Sequence, residues 1–532
     1  MPYDLPGKVD VLVLGTGLIE SILAGACARI GKSVLVLDSN QYYGNDWASF
    51  SLDALLTYAR REPTESSIGP PVVEETANER VLNLPWGDTL TPDGLAYTEY
   101  SLSDQSVDRE DSSICNTEND LRRLSKRFNL DLCSKIVFGE SKLVKLLISS
   151  GVSRYCEFCS VERILTIQDG EIQKVPFSRS DIFQSQNVSL IQKRYLMKFI
   201  EFVVDINDFE DIPDLPFAEY LRDKHKLPEA LVAIIITSIA VAPFDIKAVQ
   251  GLALVKQFCT SLGIFANSPY LWPIYGVGEL PQSFSRFAAV FGAIFCLHVQ
   301  PLSKFIFSDR DKNRALAVVT DKGDRIEFEH IILNRCFLPD TLVPEFISNE
   351  EHYLRGILVT SSSILPSEKD KPSFTTIPPL PSKKFPVRFL ELGHTSGAAS
   401  PNYFVVHVTG IDEDGSSSED QLLPYVSTLF KTACEPSLEC NQPLILVSFY
   451  FKQKHSILKS SSFDNFHVTP EPDSDLGFDR AVNFAQSLFS KIYPEEEFMP
   501  KAPDPDDIIF DDSTEDTGAA NDELCNNVNS ND

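Results

Sequence analysis

The feature that most constrains this chain is its beginning. Residues 9–14 are an apolar run broken only by Asp10, residues 18–30 carry apolar side chains at helical spacing, and residues 33–37 are a second apolar run. A strand covered on both faces reads as continuous hydrophobic sequence, so two such runs around a helix predict a β-α-β unit in a parallel sheet. Gly15-Thr16-Gly17 sits in the turn between strand and helix, and Asp38 closes the second strand about 20 residues on, where a dinucleotide fingerprint places its ribose ligand. The third small position of that fingerprint is Glu20. It normally lets the helix pack against the strand, beside the positive helix terminus where a pyrophosphate would lie. A carboxylate there competes with the phosphate for the same dipole. Gly15, Gly17, Glu20 and Asp38 therefore predict a dinucleotide-binding-like fold in vestigial form, with no cofactor.

A chain of 532 residues is too long for one small core, and two or three domains are expected. Residues 1–177 read as the first part of a sheet domain, with an acidic insertion or surface loop over about 62–119. After it, residues 121–149 have a helix-like pattern, and 161–167 and 171–175 flank Asp169-Gly170 as a hairpin. Residues 178–266 are nearly all helical in pattern and form an inserted second domain. Strand patterns return over 267–493, and 494–532 read as a disordered acidic tail in which Ile508-Ile509-Phe510 is a local contact point. The fold class is thus α/β: an FAD/NAD(P)-binding-like multi-sheet domain with an inserted, mainly helical domain.

Charge narrows the function classes. With 47 basic against 76 acidic residues the net charge is −29, which repels nucleic acid and anionic lipid headgroups, so no nucleic-acid partner is expected. The start lacks the basic and long apolar regions of a secretory signal, and eleven cysteines show no disulfide-framework spacing. A cytoplasmic location follows as an expectation. The most apolar window, residues 231–243, is shorter than the ~18–20 residues of a spanning helix and reads as a buried one. Cys156 and Cys159 form a lone C-x-x-C, better explained by strand packing than by zinc. His394 and the other histidines show no ligand or triad spacing, so neither a metal nor a catalytic group is expected.

Three long blocks carry a family resemblance: VLVLGTGLIESILAGACARIGKSVLVLDSNQYYGNDWASFS (residues 11–51), RFNLDLCSKIVFGESKLVKLLISSGVSRYCEF (127–158) and YGVGELPQSFSRFAAVFGAIFCL (275–297). Together the chain resembles the superfamily of Rab GDP-dissociation inhibitors and Rab escort proteins, from about residue 10 to 493, and the fold implied is GDI-like. The segment Trp47-Ala48-Ser49-Phe50-Ser51, the polar insertion after it, the acidic tail and SRSDIFQSQNVSLIQKR (178–194) are similar to the escort branch. The alternative within the superfamily is an inhibitor that recycles Rabs already prenylated. The alternative outside it is a flavin-dependent amine oxidase or desaturase of similar fold.

The resemblance implies specific roles. Tyr43, Glu279 and Arg286, with Lys126 and Arg127, would form a platform for GDP-bound Rab GTPases, unprenylated or prenylated; beyond it, Ile294 and Cys296 stand where inhibitors carry polar or flexible residues. Phe183 and Arg194 would dock onto the Rab geranylgeranyltransferase α/β heterodimer. A lipid pocket for the geranylgeranyl chain would lie in the helical domain, among Leu196, Phe199, Ile200, Val203, Leu231, Ile235 and Ile236. Burying a chain of roughly 20 carbons is worth on the order of 10 kcal/mol, so something must cover it until transient membrane delivery. The protein itself would be a non-catalytic accessory. Each residue also has a plainer reading: Tyr43 as turn packing before Gly44, Glu279 as a dipole-compatible helix start beside an unrelated Arg286, Lys126 and Arg127 as a solvated pair heading a helix, Phe183 as a hydrophobic staple, and the seven apolar residues as core.

Overall fold

The computed structural model describes residues 5–60, 79–86, 93–99, 118–168, 170–178, 182, 189–298, 302–311, 313–366, 371–432 and 442–501. The first strand, Lys8–Leu14, lies between two parallel neighbours, Val34–Asp38 and Arg325–Asn334. Both faces of this centre are covered along Val11–Leu14, Val34–Leu37 and Ile331–Leu333, which is why those stretches are continuously apolar. Ile294–Leu297 adds a parallel edge beside Val34–Asp38, and Phe466–Thr469 pairs in parallel with the end of Arg325–Asn334. Antiparallel strands Ala315–Thr320, Leu302–Ser308 and Glu79–Asn83 complete an eight-stranded mixed sheet.

The helix Leu18–Arg29 is buried from Leu18 through Ala28, and it packs against the helices Glu279–Val290 and Asp479–Ile492. An apolar surface all round the helix is what such a position demands. Gly25 makes the closest approach possible, because an added Cβ would stand 3.0 Å from Phe287 Cδ1 and 3.1 Å from Met499 Cε.

A second, nine-stranded mixed sheet is built on the long antiparallel pair Ile347–Thr360 and Leu444–Leu458, with Phe404–Ile411, Val387–Leu392 and Ser373–Ile377 beside it. The hairpin Arg163–Gln168 and Glu171–Lys174 closes one end, with Gly170 at φ 81° in its turn. Between the two halves of the chain come the helices Leu190–Asp205, Phe217–His225, Glu229–Ile234, running on as a π-helical turn Ile235–Ile239, and Ala248–Ser261. The first is fixed by a capping box in which Ser189 and Gln192 bond each other's backbone. The π-turn is tied to the second sheet by the Thr376 hydroxyl, 2.7 Å from Ser238 Oγ.

The structure departs from the sequence reading in four places. The segment 62–119 contributes strands to both sheets: Glu79–Asn83 pairs with Leu302–Ser308, and Asp93–Glu99 with Leu444–Leu458. Edge strands are wetted on one side, so a polar composition hid them. Residues 121–149 are not one helix but the short helix Glu118–Leu124, two two-residue strands, Leu130–Asp131 and Val137–Phe138, and the helix Lys142–Ser150. The strand Ile347–Thr360 escaped notice because its first half is polar and only Tyr353 onward is buried. Finally, 494–501 is docked: Met499 is buried, Phe498 meets Phe489 edge to face at 5.4 Å, and Arg29 Nη2 donates to the Lys501 carbonyl at 3.2 Å. The remaining tail residues, including 508–510, lie outside the described residues.

Gly251, in the last helix of the inserted segment, lies directly against the fully buried Phe217 ring. Gly251→Val is expected to destabilise the chain by about 1–3 kcal/mol through overpacking, read as a lower thermal midpoint, while Phe217→Leu in the same background recovers part of the loss.

Candidate functional site

The dinucleotide turn is occupied by the protein's own side chains. Glu20, in the first turn of the helix Leu18–Arg29, is buried and folds its carboxylate back over Gly17. There its Oε1 accepts from Asn334 Nδ2 at 3.0 Å and from the Thr469 hydroxyl, which come from the neighbouring parallel strand ends. Burial raises the Glu20 pKa above the ordinary carboxylate range, against those hydrogen bonds. Asp38 is turned inward as well: its Oδ2 accepts from Thr16 Oγ1 at 2.7 Å and its Oδ1 from the Asn40 amide at 2.9 Å, and burial pushes it up to about 6. Asn45, Asn334 and Phe337 close on Gly15, where even an added Cβ would stand 2.9 Å from Asn45 Nδ2. Asp46 is pushed up to about 7 by burial, with the Glu471 and Glu20 charges adding to it. A pyrophosphate would meet filled space and three carboxylates, so these residues do not fit a dinucleotide.

A second centre gathers the three sequence blocks. Asp131 is buried at the end of a two-stranded ladder with Ser49–Phe50. Its Oδ1 accepts from the Ser49 hydroxyl and from the Val277 amide at 3.1 Å, while Ser49 Oγ in turn accepts from the Gly278 amide at 2.9 Å. Gly276, at φ 110°, and Gly278 are required here, since a Cβ on the first would stand 2.5 Å from Asp131 Oδ1 and on the second 2.8 Å from the Ser49 amide. These bonds set the origin of the helix Glu279–Val290. Just before it, Tyr275 holds φ 75° with its ring 57% exposed, and its amide donates to the Ser396 carbonyl at 3.1 Å. A bulky residue at positive φ stores about 1–3 kcal/mol of strain and is characteristic of functional sites. Sequence reasoning missed Tyr275, because a left-handed conformation leaves no mark in a lone Tyr-Gly pair.

The implied platform residues Glu279 and Arg286 lie on this helix, which begins at Glu279. Glu279 is half-buried with its pKa raised by that burial, and Arg286, exposed, lies 4.7 Å from the Tyr155 ring centroid. Twelve residues of helix span ~18 Å. Tyr43 packs on Phe295, in the strand that follows this helix, with ring centroids 6.2 Å apart. Ile294 is exposed, whereas Cys296 is buried. Lys126 and Arg127 are exposed, but they close a helix through the turn Ser125–Arg127 instead of heading one. Asn129, just after them, bonds the Gly397 and Ala398 carbonyls beside Tyr275.

Elsewhere, Arg194 is exposed on the helix Leu190–Asp205, one turn from the exposed Leu190 and Ile191; Phe183 lies outside the described residues. Leu196, Phe199, Val203, Leu231, Ile235 and Ile236 are buried in one apolar cluster with Ile200 against it. They do not line the cavity of about 290 Å³ whose walls include Ile239, Val241 and Pro243. Cys156 donates to Ser283 Oγ at 3.0 Å, Cys159 lies in the strand Phe158–Ser160, and His394 is exposed in a short turn. Among the described residues no group of side chains is arranged to hold a metal, and no helix is long and apolar enough to cross a membrane.

Fold and site together define an α/β scaffold of the dinucleotide-binding type whose nucleotide turn is plugged and whose surface converges from three distant segments. Comparison with known proteins specifies it. The GDP dissociation inhibitor family matches residues 5–72 and 113–384, and the RAE1/2 domain I, C-terminal region matches 354–474. The chain is 31% identical to Rab proteins geranylgeranyltransferase component A 2 of Mus musculus, over 96% of its own length and 100% of that protein's. It is 32% identical to component A of Drosophila melanogaster, covering 96% and 93%, and 27% identical to Rab escort protein 1 of Arabidopsis thaliana, covering 95% and 96%. A solved Rab GDI from Plasmodium falciparum shares the fold with a TM-score of 0.65 at 20% identity, over 94% of this chain and 100% of that one. The chain belongs to the GDP dissociation inhibitor family, in its Rab escort, or component A, branch.

Asp131 titrates within a useful window. Burial pushes it from 3.8 to about 7, so between those values the folded chain holds a proton that the unfolded chain has released, and the stability this confers is lost as pH rises through 7. Asp131→Asn keeps an oxygen for Ser49 and Val277 but cannot titrate. Denaturation midpoints at pH 5, 6, 7 and 8 are therefore expected to fall for the native chain relative to Asp131→Asn, and parallel curves would contradict the assignment. Glu20→Ala should cost about 1–3 kcal/mol, because it orphans the buried Asn334 Nδ2 and leaves the Thr469 hydroxyl only the Leu333 carbonyl.

Proposed function

We propose that this protein is a Rab escort protein: it binds newly made GDP-bound Rab GTPases, presents them to Rab geranylgeranyltransferase and covers the attached lipid until membrane delivery. The observation that carries this reading is similarity to component A proteins over 96% of the chain, reinforced by the match of the RAE1/2 region to residues 354–474. Tyr43, Tyr275, Glu279 and Arg286, with Lys126 and Arg127, hold the GTPase on a support braced by Asp131. Arg194, with exposed Leu190 and Ile191 beside it, offers the Arg-plus-apolar chemistry of an interface hot spot to the transferase, together with Phe183.

The protein's contribution is positioning. Holding GTPase and transferase on one body keeps the acceptor cysteines at high effective concentration near the enzyme. No residue of this chain supplies a reacting group, and the turn filled by Glu20 is the physical reason to set flavin chemistry aside. The apolar side chains from Leu196 to Ile236 fill one another's space in this conformation, so lipid entry requires the helices to part. The protein acts in the cytoplasm, with membranes met only during delivery.

Reconstituted prenylation tests the whole reading: with transferase and an unprenylated Rab, this protein is expected to support geranylgeranyl transfer, whereas an inhibitor that recycles only prenylated Rabs would not. Arg286→Glu should weaken Rab binding by roughly tenfold or more as a lost hot spot. Phe183→Ala with Arg194→Glu should remove transferase capture and leave Rab affinity unchanged. Transferase still retained in a pull-down by that double variant would refute the docking assignment.

A further inference from the structure

The face that runs from the helix Glu279–Val290 into the strand Ile294–Leu297 is apolar and uncovered. Val290 is 63% and Ile294 48% exposed. The strand is also the edge of the first sheet, pairing with Val34–Asp38 on one side and with no described strand on the other. Unpaired edges and exposed aliphatic side chains are a template for an added extended segment. Two cations bracket the patch in a chain whose net charge is −29. Arg286 lies one helical turn before Val290, and the Arg29 guanidinium sits 4.4 Å over the Phe291 ring.

Arg29 also marks where the chain leaves the described structure. Its Nη2 bonds the Lys501 carbonyl at 3.2 Å, so one side chain touches both the exit point and the patch. Immediately beyond come Asp504-Pro505-Asp506-Asp507-Ile508-Ile509-Phe510-Asp511-Asp512, three large apolar residues between aspartates. Six residues separate Lys501 from Ile508, and the chain between them reaches up to about 25 Å when extended, ample for a patch that begins one side chain away. An acidic, apolar-centred segment is the chemical complement of an apolar edge flanked by arginines.

We propose that residues 504–512 dock intramolecularly on this edge, with Ile508, Ile509 and Phe510 covering Val290 and Ile294 and the flanking aspartates facing Arg286 and Arg29. Because Arg286 belongs to the proposed GTPase platform, the tail then competes with the GTPase for one face. This part rests on the platform reading above; the docking itself does not. Tethering gives the tail a high local concentration without strong contacts. A GTPase must displace it, which lowers the apparent affinity by the fraction of platforms left open.

The test compares the full chain with Ile508→Asp/Ile509→Asp/Phe510→Asp, changes confined to the tail. Hydrogen–deuterium exchange of peptides spanning 290–297 is expected to be at least ~5-fold faster in the variant; equal rates overturn the docking. Affinity for a GDP-loaded, unprenylated Rab is expected to be roughly 3- to 10-fold tighter for the variant at low salt, with the gap narrowing at 0.5 M NaCl as screening weakens the aspartate contacts. Equal or weaker binding by the variant overturns the competition. A Rab that binds neither protein counts against the platform reading, and the exchange rates then still decide whether the tail docks.

Discussion

A single buried carboxylate organises the centre of this molecule. Placing Glu20 in the first turn of an enclosed helix would be prohibitive for a bare anion, and the fold answers with the helix terminus itself, the Asn334 amide and the Thr469 hydroxyl. Those partners stand on the strands Arg325–Asn334 and Phe466–Thr469. The interaction therefore closes the first sheet across most of the chain's length. Its consequence reaches the neighbouring acids, since Asp38 and Asp46 are raised above the ordinary carboxylate range by burial first and then by the nearby Glu20 charge. A ligand phosphate would do the opposite work at that helix terminus. Self-satisfaction of the turn is what frees the scaffold from needing one.

Once the nucleotide turn is internal, the same architecture serves as a rigid support for loops. Asp131, Ser49 and the Gly276–Gly278 amides weld three segments that are remote in sequence, and they do so beside Tyr275, whose strained backbone persists only because its surroundings over-determine it. Surface residues placed this way are held without secondary structure of their own. That suits a protein whose partners must be gripped and released, where preorganised contacts raise affinity by reducing the ordering cost of binding.

Much of this was legible in residue order. The β-α-β unit and the substituted third glycine are local patterns, and local patterns follow from backbone period and side-chain size. The helices of the inserted segment were likewise readable from their spacing. Other elements were not. Glu79–Asn83 and Asp93–Glu99 are strands because Leu302–Ser308 and Leu444–Leu458 offer them edges, and no feature of their own sequence announces that. The segment ending at Lys501 looked like solvent-exposed tail by charge, yet Met499 packs on the helix Leu18–Arg29 at Gly25 and Phe498 on Phe489 of the helix Asp479–Ile492.

What the sequence by itself determined was the scaffold type, the carboxylate at the third position of the turn motif and the family resemblance, because these depend on which side chain occupies which position of a short motif. Only the tertiary structure decided how Glu20 is satisfied, that Asp131 and Ser49 tie down the turn before the helix Glu279–Val290, that Tyr275 stands there at positive φ and that Lys126 and Arg127 end a helix. The hydrogen bonds behind the first two join residues between 82 and 449 positions apart. A hydrogen bond or a buried charge acquires its energy from the groups that meet it in space, and chain order alone does not say which groups those will be.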